Sequence, residues 1–435
     1  MSASELVAIT VSERSEKAAD LDARASGKPV RRVPYFGVDV QPPGLTVILD
    51  VERGASVERT VPQEIHRQAD TDAARLRVAI AHEWLVGYAG SERCVAEMLE
   101  EFTGARLLTT VLDVSAVPPA FRVAEPSFLQ HVPGATRHHE WCLPLMPLAW
   151  RMRDAVDDVD LVISSSHACA KGVRVRRGIP HLCYCHTPMR YAWNFDAERE
   201  RFPAALRPAA RLGMGWFRRW DRMTARRVTR FVANSTAVAS RIQRAFGRPA
   251  EVIHPPVRTD HFTPGGARDD FFLYVGRFVA YKRPELLVAA FARLPKHRLL
   301  MVGEGPLASS LSDRATTNVT FVGAVDDSRL RDLYRSARSL VYPAEEDFGI
   351  AMAEAQSCGT PVIALAAGGA TDIVQPGRTG WLLPDQSVEG LTAAVRRAAS
   401  EELDSHEIAQ AAQRFGAARF RRQIREAANE CARSI

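Results

Sequence analysis

The chain has 435 residues, 57 Lys and Arg against 51 Asp and Glu for a net charge of +6, and 46% hydrophobic residues. At roughly 100–200 residues per domain this length predicts two or three domains, and the composition excludes collagen-like, coiled-coil and mostly disordered chains. No run approaches the ~18 apolar residues of a membrane span.

The N-terminus MSASELVAITVSERSEKAADLD is interrupted early by charge and lacks a secretory apolar core, so a cytoplasmic protein is expected. The seven cysteines, odd in number and irregular in spacing, read as reduced buried thiols rather than a disulfide framework. Cys183 and Cys185 share one face of a predicted strand, but two ligands do not make a metal site.

Residues 1–75 mix charges of both signs with Ala, Ser and Pro, and within them GLTVILDV (Gly44–Val51) alone resembles a strand. This stretch reads as a largely flexible N-terminal extension. From Leu76 short apolar runs alternate with longer amphipathic segments, the pattern of parallel βαβ units. The first series is LRVAIA (76–81), LVISSS (161–166), HLCYCH (181–186), RFVANS (230–235) and EVIHPP (251–256). The second is FFLYVG (271–276), RLLMVG (298–303), VTFVG (319–323), SLVYP (339–343) and PVIAL (361–365). A Pro-, Gly- and Asp-rich linker separates them, and two α/β domains in tandem are expected. Open parallel sheets bind ligands beyond the carboxyl ends of their strands, so chemistry is sought just after each run.

After LRVAIA, a loop carrying Ala89-Gly90 runs into a helix; alone, Gly90 is a weak signal, more often structural. His167 follows LVISSS, and His186 ends HLCYCH. A histidine at a strand end is either a structural hydrogen-bonding group or a cleft residue.

Gly276-Arg277 and Lys282 stand at a strand-to-helix turn, where two cations and a helix N-terminus can meet one diphosphate. Alone, such a pair also reads as solvated surface charge. The segment YPAEEDFGIAMAEAQSCGTPVIALAAGGATDIV places Glu346 in a loop and Glu354 one turn inside a short helix. At 1.5 Å per residue the two carboxylates are roughly 10 Å apart, the span from a sugar to a ribose across a diphosphate. Phe348-Gly349 permits close backbone approach, and Gly368-Gly369 is expected to offer free N–H groups to oxyanions.

VGRFVAYKRPE, VGEGPL, FVGAV and the Glu-x7-Glu segment together resemble the donor half of family 4 glycosyltransferases, retaining enzymes of the two-Rossmann GT-B architecture. HEWLVGYAGSERCV, SSSHACAKGV, CHTPMRYAWNFD, FVANSTAVASRI and VIHPPVRTDHF are similar to bacterial GDP-mannose-dependent mannosyltransferases of O-antigen and exopolysaccharide assembly. The resemblance spans about residues 76–425. It implies an acceptor domain over 76–256, a donor domain over 257–408, and a C-terminal helix over 409–435 packing back on the first domain.

Carried over, it assigns Arg277 and Lys282 to the donor diphosphate, Glu346 to hydroxyls of the transferred sugar and Glu354 to the ribose. Val322 and Gly323 flank the base, and Gly90 approaches the diphosphate from the first domain. His186 lies near the transfer centre, with Arg190 and Tyr191 of the same loop as candidate donor or acceptor contacts. The chain departs from the pattern at Ala89, at Asp347 where many relatives have Gly, and at Asp372 where Glu is common. Asp347 bears on sugar preference.

No HExxH or DxD-like ligand set convincingly holds a divalent cation on the diphosphate, so no metal or cofactor is expected, and Arg277, Lys282 and backbone N–H groups are left to stabilise the leaving charge. Retention, with the diphosphate taking the acceptor proton and His186 positioning, is what the resemblance implies.

Between Leu206 and Arg230 eight arginines meet one acid, Asp221, interleaved with Trp216, Phe217 and Trp220. This reads either as a basic amphipathic helix for an anionic membrane surface or a lipid-linked diphosphate, or as a solvated helix with its aromatics in the core. No nucleic-acid reader motif accompanies it. The expected activity is mannose transfer from GDP-mannose to a lipid-linked or growing polysaccharide, with a UDP-sugar donor or a non-catalytic sugar-nucleotide-binding protein as alternatives. The expected partners are the nucleotide sugar, a lipid-linked glycan acceptor and an anionic membrane surface, with no nucleic acid, and the expected location is the cytoplasmic membrane face.

Overall fold

The computed structural model describes residues 76–193 and 207–434. The extension 1–75, with the strand expected at Gly44–Val51, lies outside them, as does Leu206.

The first half carries strands β1 (Val78–His82), β2 (Arg106–Leu108), β3 (Leu161–Ser166), β4 (His181–Cys185), β5 (Arg230–Ala233) and β6 (Ala250–Val252). The second carries β7 (Phe271–Val275), β8 (Arg298–Val302), β9 (Val319–Gly323), β10 (Ser339–Tyr342), β11 (Val362–Leu365) and β12 (Gly380–Leu383). Each set forms one six-stranded sheet, in the orders β2-β1-β3-β4-β5-β6 and β12-β11-β10-β7-β8-β9. Every strand pairing within them is parallel. Helices of eight residues or more among the described residues are α1 (Gly90–Glu101), α2 (Arg207–Ala225), α3 (Thr236–Phe246), α4 (Pro284–Ala292), α5 (Asp327–Ser336), α6 (Ile350–Ser357), α7 (Val388–Ser400), α8 (Ser405–Ala412) and α9 (Ala417–Ala432). The fold is the two-sheet α/β arrangement that the alternating runs predict. β2 and β12 were not among the predicted runs: β2 is only three residues long, and the apolar part of β12 is the three-residue Trp381-Leu382-Leu383.

The central strands β1, β3, β4 and β10 are buried along their whole length, as helices on both faces of a parallel sheet require. Strand order reverses between β1 and β3 in the first sheet and between β7 and β10 in the second. At such a switch point neighbouring crossovers leave on opposite faces and open a crevice at the carboxyl ends of the strands. His82 ends β1, Glu83 follows it and His167 follows β3; Arg277, Lys282 and Glu346 follow β7 and β10.

The chain passes between the halves twice. It crosses after β6 and returns before α9, and the two passes pair where the Val257 N–H donates to the Phe415 carbonyl at 2.8 Å. Helix α9 then packs on the first sheet, burying Phe420, Ile424 and Ala428 among Ile80, Val95 and Leu182. Each large side chain buried there contributes about 1.5–3 kcal/mol, so the last helix of the chain stabilises the first half.

Candidate active site

A polar cluster forms in the second half because β7 and β10 are adjacent. The Lys282 ammonium lies 3.0 Å from Glu346 Oε1 and donates to the Tyr342 hydroxyl at 2.8 Å. That hydroxyl in turn donates to Glu346 Oε1 at 2.7 Å. Tyr342 is the last residue of β10, so the strand end supplies the hinge between cation and carboxylate. Burial pushes the Glu346 carboxyl up, but Lys282, the Tyr342 hydroxyl and Arg190 outweigh it and hold the group below the usual carboxylate range. Glu346 is therefore an anion at neutral pH. Arg277 donates to the Tyr281 hydroxyl at 3.3 Å, and the Arg190 guanidinium lies over the Tyr281 ring at 5.3 Å. Three cations thus converge on one turn beside a half-buried carboxylate. Gly276 leaves room for this: a Cβ there would stand 3.0 Å from the Tyr274 hydroxyl and 3.5 Å from Lys282 Nζ.

Gly349 opens α6 at φ 99°, where a Cβ would overlap Met352, so only glycine turns the Glu346 loop into the helix. One turn on, the buried Glu354 accepts from Arg93 of α1 at 2.7 Å and from the Tyr334 hydroxyl at 3.3 Å. Burial raises its proton affinity more than Arg93 and Tyr334 lower it. Val322 and Gly323 end β9, and the space about Gly323 is open: a Cβ at that position would meet nothing within 4 Å.

The Gly368-Gly369 pair behaves differently from the expectation. The Gly369 N–H donates to the Glu346 carbonyl at 2.9 Å, so it is not free for an oxyanion. A Cβ on Gly369 would overlap the Phe348 carbonyl oxygen. The pair lets two backbones touch and thereby shapes the Glu346 loop. Phe348 likewise turns its ring inward, against His254 and Phe415 at 5.5 and 5.4 Å.

The first half faces this cluster with a buried hydrogen-bonded chain. The Ala89 N–H donates to Glu92 Oε2 at 3.0 Å, and Glu92 Oε1 meets His82 Nε2 at 3.2 Å. His82 Nδ1 lies 3.1 Å from the Ser165 hydroxyl, which meets His186 Nε2 at 2.8 Å. Burial, then His167 and His82, holds the His186 imidazole well below the ordinary histidine range. It is neutral at neutral pH and poorly suited to keep a proton. His167 lies between His82 and His186, with ring centroids 6.0 and 6.2 Å away. Glu83 is fully buried, and its two oxygens take the backbone N–H groups of His167, Ala168, Cys169 and Ala170 and the Ser166 hydroxyl at 2.7–3.1 Å.

The departures at Asp347 and Asp372 are where the halves hold each other. Asp347 pairs with Arg190 at 2.6 Å and with Arg241 of α3. Asp372 sits at the N-terminus of α3, accepting from the Thr236 N–H at 2.8 Å and meeting His254 at 3.1 Å. A carboxylate at that position meets unpaired N–H groups and the positive helix end. Gly90 belongs to the same seam, since a Cβ on it would lie 2.7 Å from Ile350 at the start of α6.

The structure thus brings Arg190, Arg277, Lys282 and Glu346 together around Tyr281 and Tyr342, while Glu354 meets Arg93 and Tyr334 and His186 belongs to the chain through Ser165. The Tyr191 side chain lies outside the described residues. Arg93, Tyr281, Tyr342, Glu83 and Glu92 were not foreseen, although Arg93 and Glu92 belong to the SERC stretch of the first-half motif. Among the described residues no group of His, Cys, Asp and Glu is arranged to hold a metal.

Residues 88–261 match the model of Glycosyltransferase Family 4 and residues 259–415 that of Glycosyl transferases group 1. A D-inositol 3-phosphate glycosyltransferase of Mycobacteroides abscessus is 34% identical over 248 residues, 51% of this chain and 54% of that protein. A D-inositol 3-phosphate glycosyltransferase 2 of Catenulispora acidiphila is 35% identical over 187 residues, 35% of this chain and 44% of that protein. The chain thus spans about half the length of the curated relatives it matches. Among solved structures, sucrose-phosphate synthase of Thermosynechococcus elongatus superposes with a TM-score of 0.65 at 20% identity, covering 81% of this chain and 99% of its own. Anabaena HepE in complex with UDP and glucose gives 0.58 at 18%, with the same coverage. At these identities the likeness concerns the fold.

Proposed function

We propose that this chain, whose two halves match the Glycosyltransferase Family 4 and Glycosyl transferases group 1 models, is a family 4 glycosyltransferase of GT-B fold that transfers a hexose from a nucleoside-diphosphate sugar to an acceptor hydroxyl. The observation that carries the reading is the Lys282–Tyr342–Glu346 cluster at the switch point of the second sheet, joined by Arg277 and Arg190. The diphosphate lies against Arg277 and Lys282, the sugar hydroxyls against Glu346, and the ribose against Glu354. As the bond from the anomeric carbon to the diphosphate breaks, negative charge grows on the leaving oxygens, where preorganised cations stabilise it more than they stabilise the bound donor. The acceptor oxygen bonds to the anomeric carbon on the same face, and its proton passes to the leaving diphosphate. His186, neutral and held by Ser165, orients the reactants rather than storing that proton.

For the finer identity, the first-half segments support mannose from GDP-mannose and a lipid-linked or growing polysaccharide acceptor at the cytoplasmic membrane face. The name of the curated relatives favours a second reading, a phosphorylated inositol as acceptor, and with it the UDP-sugar donor stays in play. Thermal melting with GDP, UDP, ADP and their sugars separates the donors. At a hundredfold excess over Kd a bound nucleotide adds about 2.7 kcal/mol, a rise of several degrees. GDP and GDP-mannose are expected to give that rise while UDP and ADP do not. Selective stabilisation by UDP transfers the assignment to the second donor, and no response to any of them contradicts the proposal.

A further inference from the structure

Helix α2 has two apolar faces. One turns inward: Met214 and Phe217 are buried, and Asp221 is buried against Lys171 with the Trp193 indole N–H donating to it at 2.7 Å. The acid is therefore consumed in anchoring the helix and does not offset the arginines outside. On the opposite face Leu212, Trp216 and Met223 are 83%, 53% and 50% exposed. At about 100° per residue these three fall within about 40° of one another on the helix wheel. Arg219 falls on the same stripe. A hollow of about 410 Å³ has Arg218, Arg219, Arg222 and Arg226 around Met223. A neighbouring groove of about 510 Å³ joins Met223 and Arg227 to Pro147 and Arg151 of the helix Met146–Met152. On that helix Met152 is 63% exposed. Among the described residues the side chains of Arg218, Arg219, Arg226 and Arg227 have no carboxylate or hydrogen-bonding partner.

We propose that this face of the first half docks on an anionic lipid bilayer. An outward stripe of Leu, Trp and Met gains nothing from water, whereas at a membrane it enters the headgroup–acyl boundary while flanking arginines remain at the phosphates. Each cation near such a surface contributes about 1 kcal/mol, so four unpaired arginines and three apolar anchors suffice for reversible attachment. A second copy of the chain fits poorly, since a two-fold contact would set arginine against arginine. A nucleic acid would use the cations but has no need of exposed Leu212 and Met223. Docking of this face requires no choice of donor or acceptor and stands apart from the transfer chemistry.

The test is flotation of the full chain with vesicles of phosphatidylcholine, with and without phosphatidylglycerol. Binding is expected only when phosphatidylglycerol is present, weakening as salt rises. The triple variant Arg218→Gln, Arg219→Gln, Arg226→Gln should lower partition about a hundredfold, and Leu212→Ser, Trp216→Ser, Met223→Ser by at least about tenfold. All six side chains lie outside the transfer site, so nucleotide-induced melting shifts stay as in the parent and report an intact fold. Equal flotation of parent and variants overturns the proposal. So does binding to duplex DNA that the arginine variant loses and the apolar variant keeps, or a dimer in sedimentation that the apolar variant abolishes. An enzyme inactive in transfer that still floats leaves this inference standing.

Discussion

Lys282→Ala lowers kcat/KM for sugar transfer by about 10²–10³-fold, the effect of removing one preorganised donor from a developing oxyanion. The ammonium is fixed by two groups of β10 and its loop, Tyr342 at 2.8 Å and Glu346 at 3.0 Å. Glu346→Ala separates the two ends of the donor. Transfer falls to background, while affinity for the nucleoside diphosphate stays within a few-fold, because the carboxylate is assigned to the sugar and the Tyr342 hydroxyl still holds the Lys282 ammonium. Steady-state kinetics with isothermal titration of the free nucleotide checks both. Equal loss of nucleotide affinity in Glu346→Ala would show that this residue shapes the diphosphate site instead.

The second large effect is on stability. Glu83→Ala leaves four backbone N–H groups and one hydroxyl without their acceptor in a buried loop. At about 1–3 kcal/mol for each unsatisfied buried donor, the loss is at least about 4 kcal/mol, at the diagnostic end for single substitutions. Glu83→Gln does not rescue it, because an NH₂ group replaces one oxygen and faces N–H donors. Ser166→Ala, which removes one of the five donors, costs only about 1 kcal/mol. Urea denaturation of the three variants decides the matter, and a Glu83→Ala protein within about 1 kcal/mol of the parent would contradict this role for the buried carboxylate. Because that loop carries His167 and Lys171, its loss also removes the seat of α2.

The second-half cluster was legible because its residues follow strands directly: Arg277 and Lys282 after one run, Glu346 and Glu354 around the next. Glycine and proline bound those segments, and the spacing needs no knowledge of distant contacts. What escaped was built across the fold. Arg93 reaches Glu354 over 261 positions, and Arg241 reaches Asp347 over 106, distances at which no local pattern exists. Tyr342 reads as an ordinary strand residue in the sequence, and only the fold sets its hydroxyl between Lys282 and Glu346. Gly368-Gly369 shows the opposite failure: its composition suits an anion nest, yet a backbone packed against it takes the Gly369 N–H. The arginine-rich helix left two readings in the sequence, and the structure divides its aromatics, with Phe217 in the core and Trp216 outside it.

On this reading the chain moves a sugar from a nucleotide to an acceptor with the residues of one cleft. The decisive assay is incubation with labelled GDP-mannose, alongside UDP- and ADP-sugars, with both a membrane lipid extract and a phosphorylated inositol supplied as acceptors. Nucleoside diphosphate is expected to be released in step with a labelled product whose anomeric configuration matches the donor. No nucleotide release and no labelled product from any of these donors would contradict the assignment.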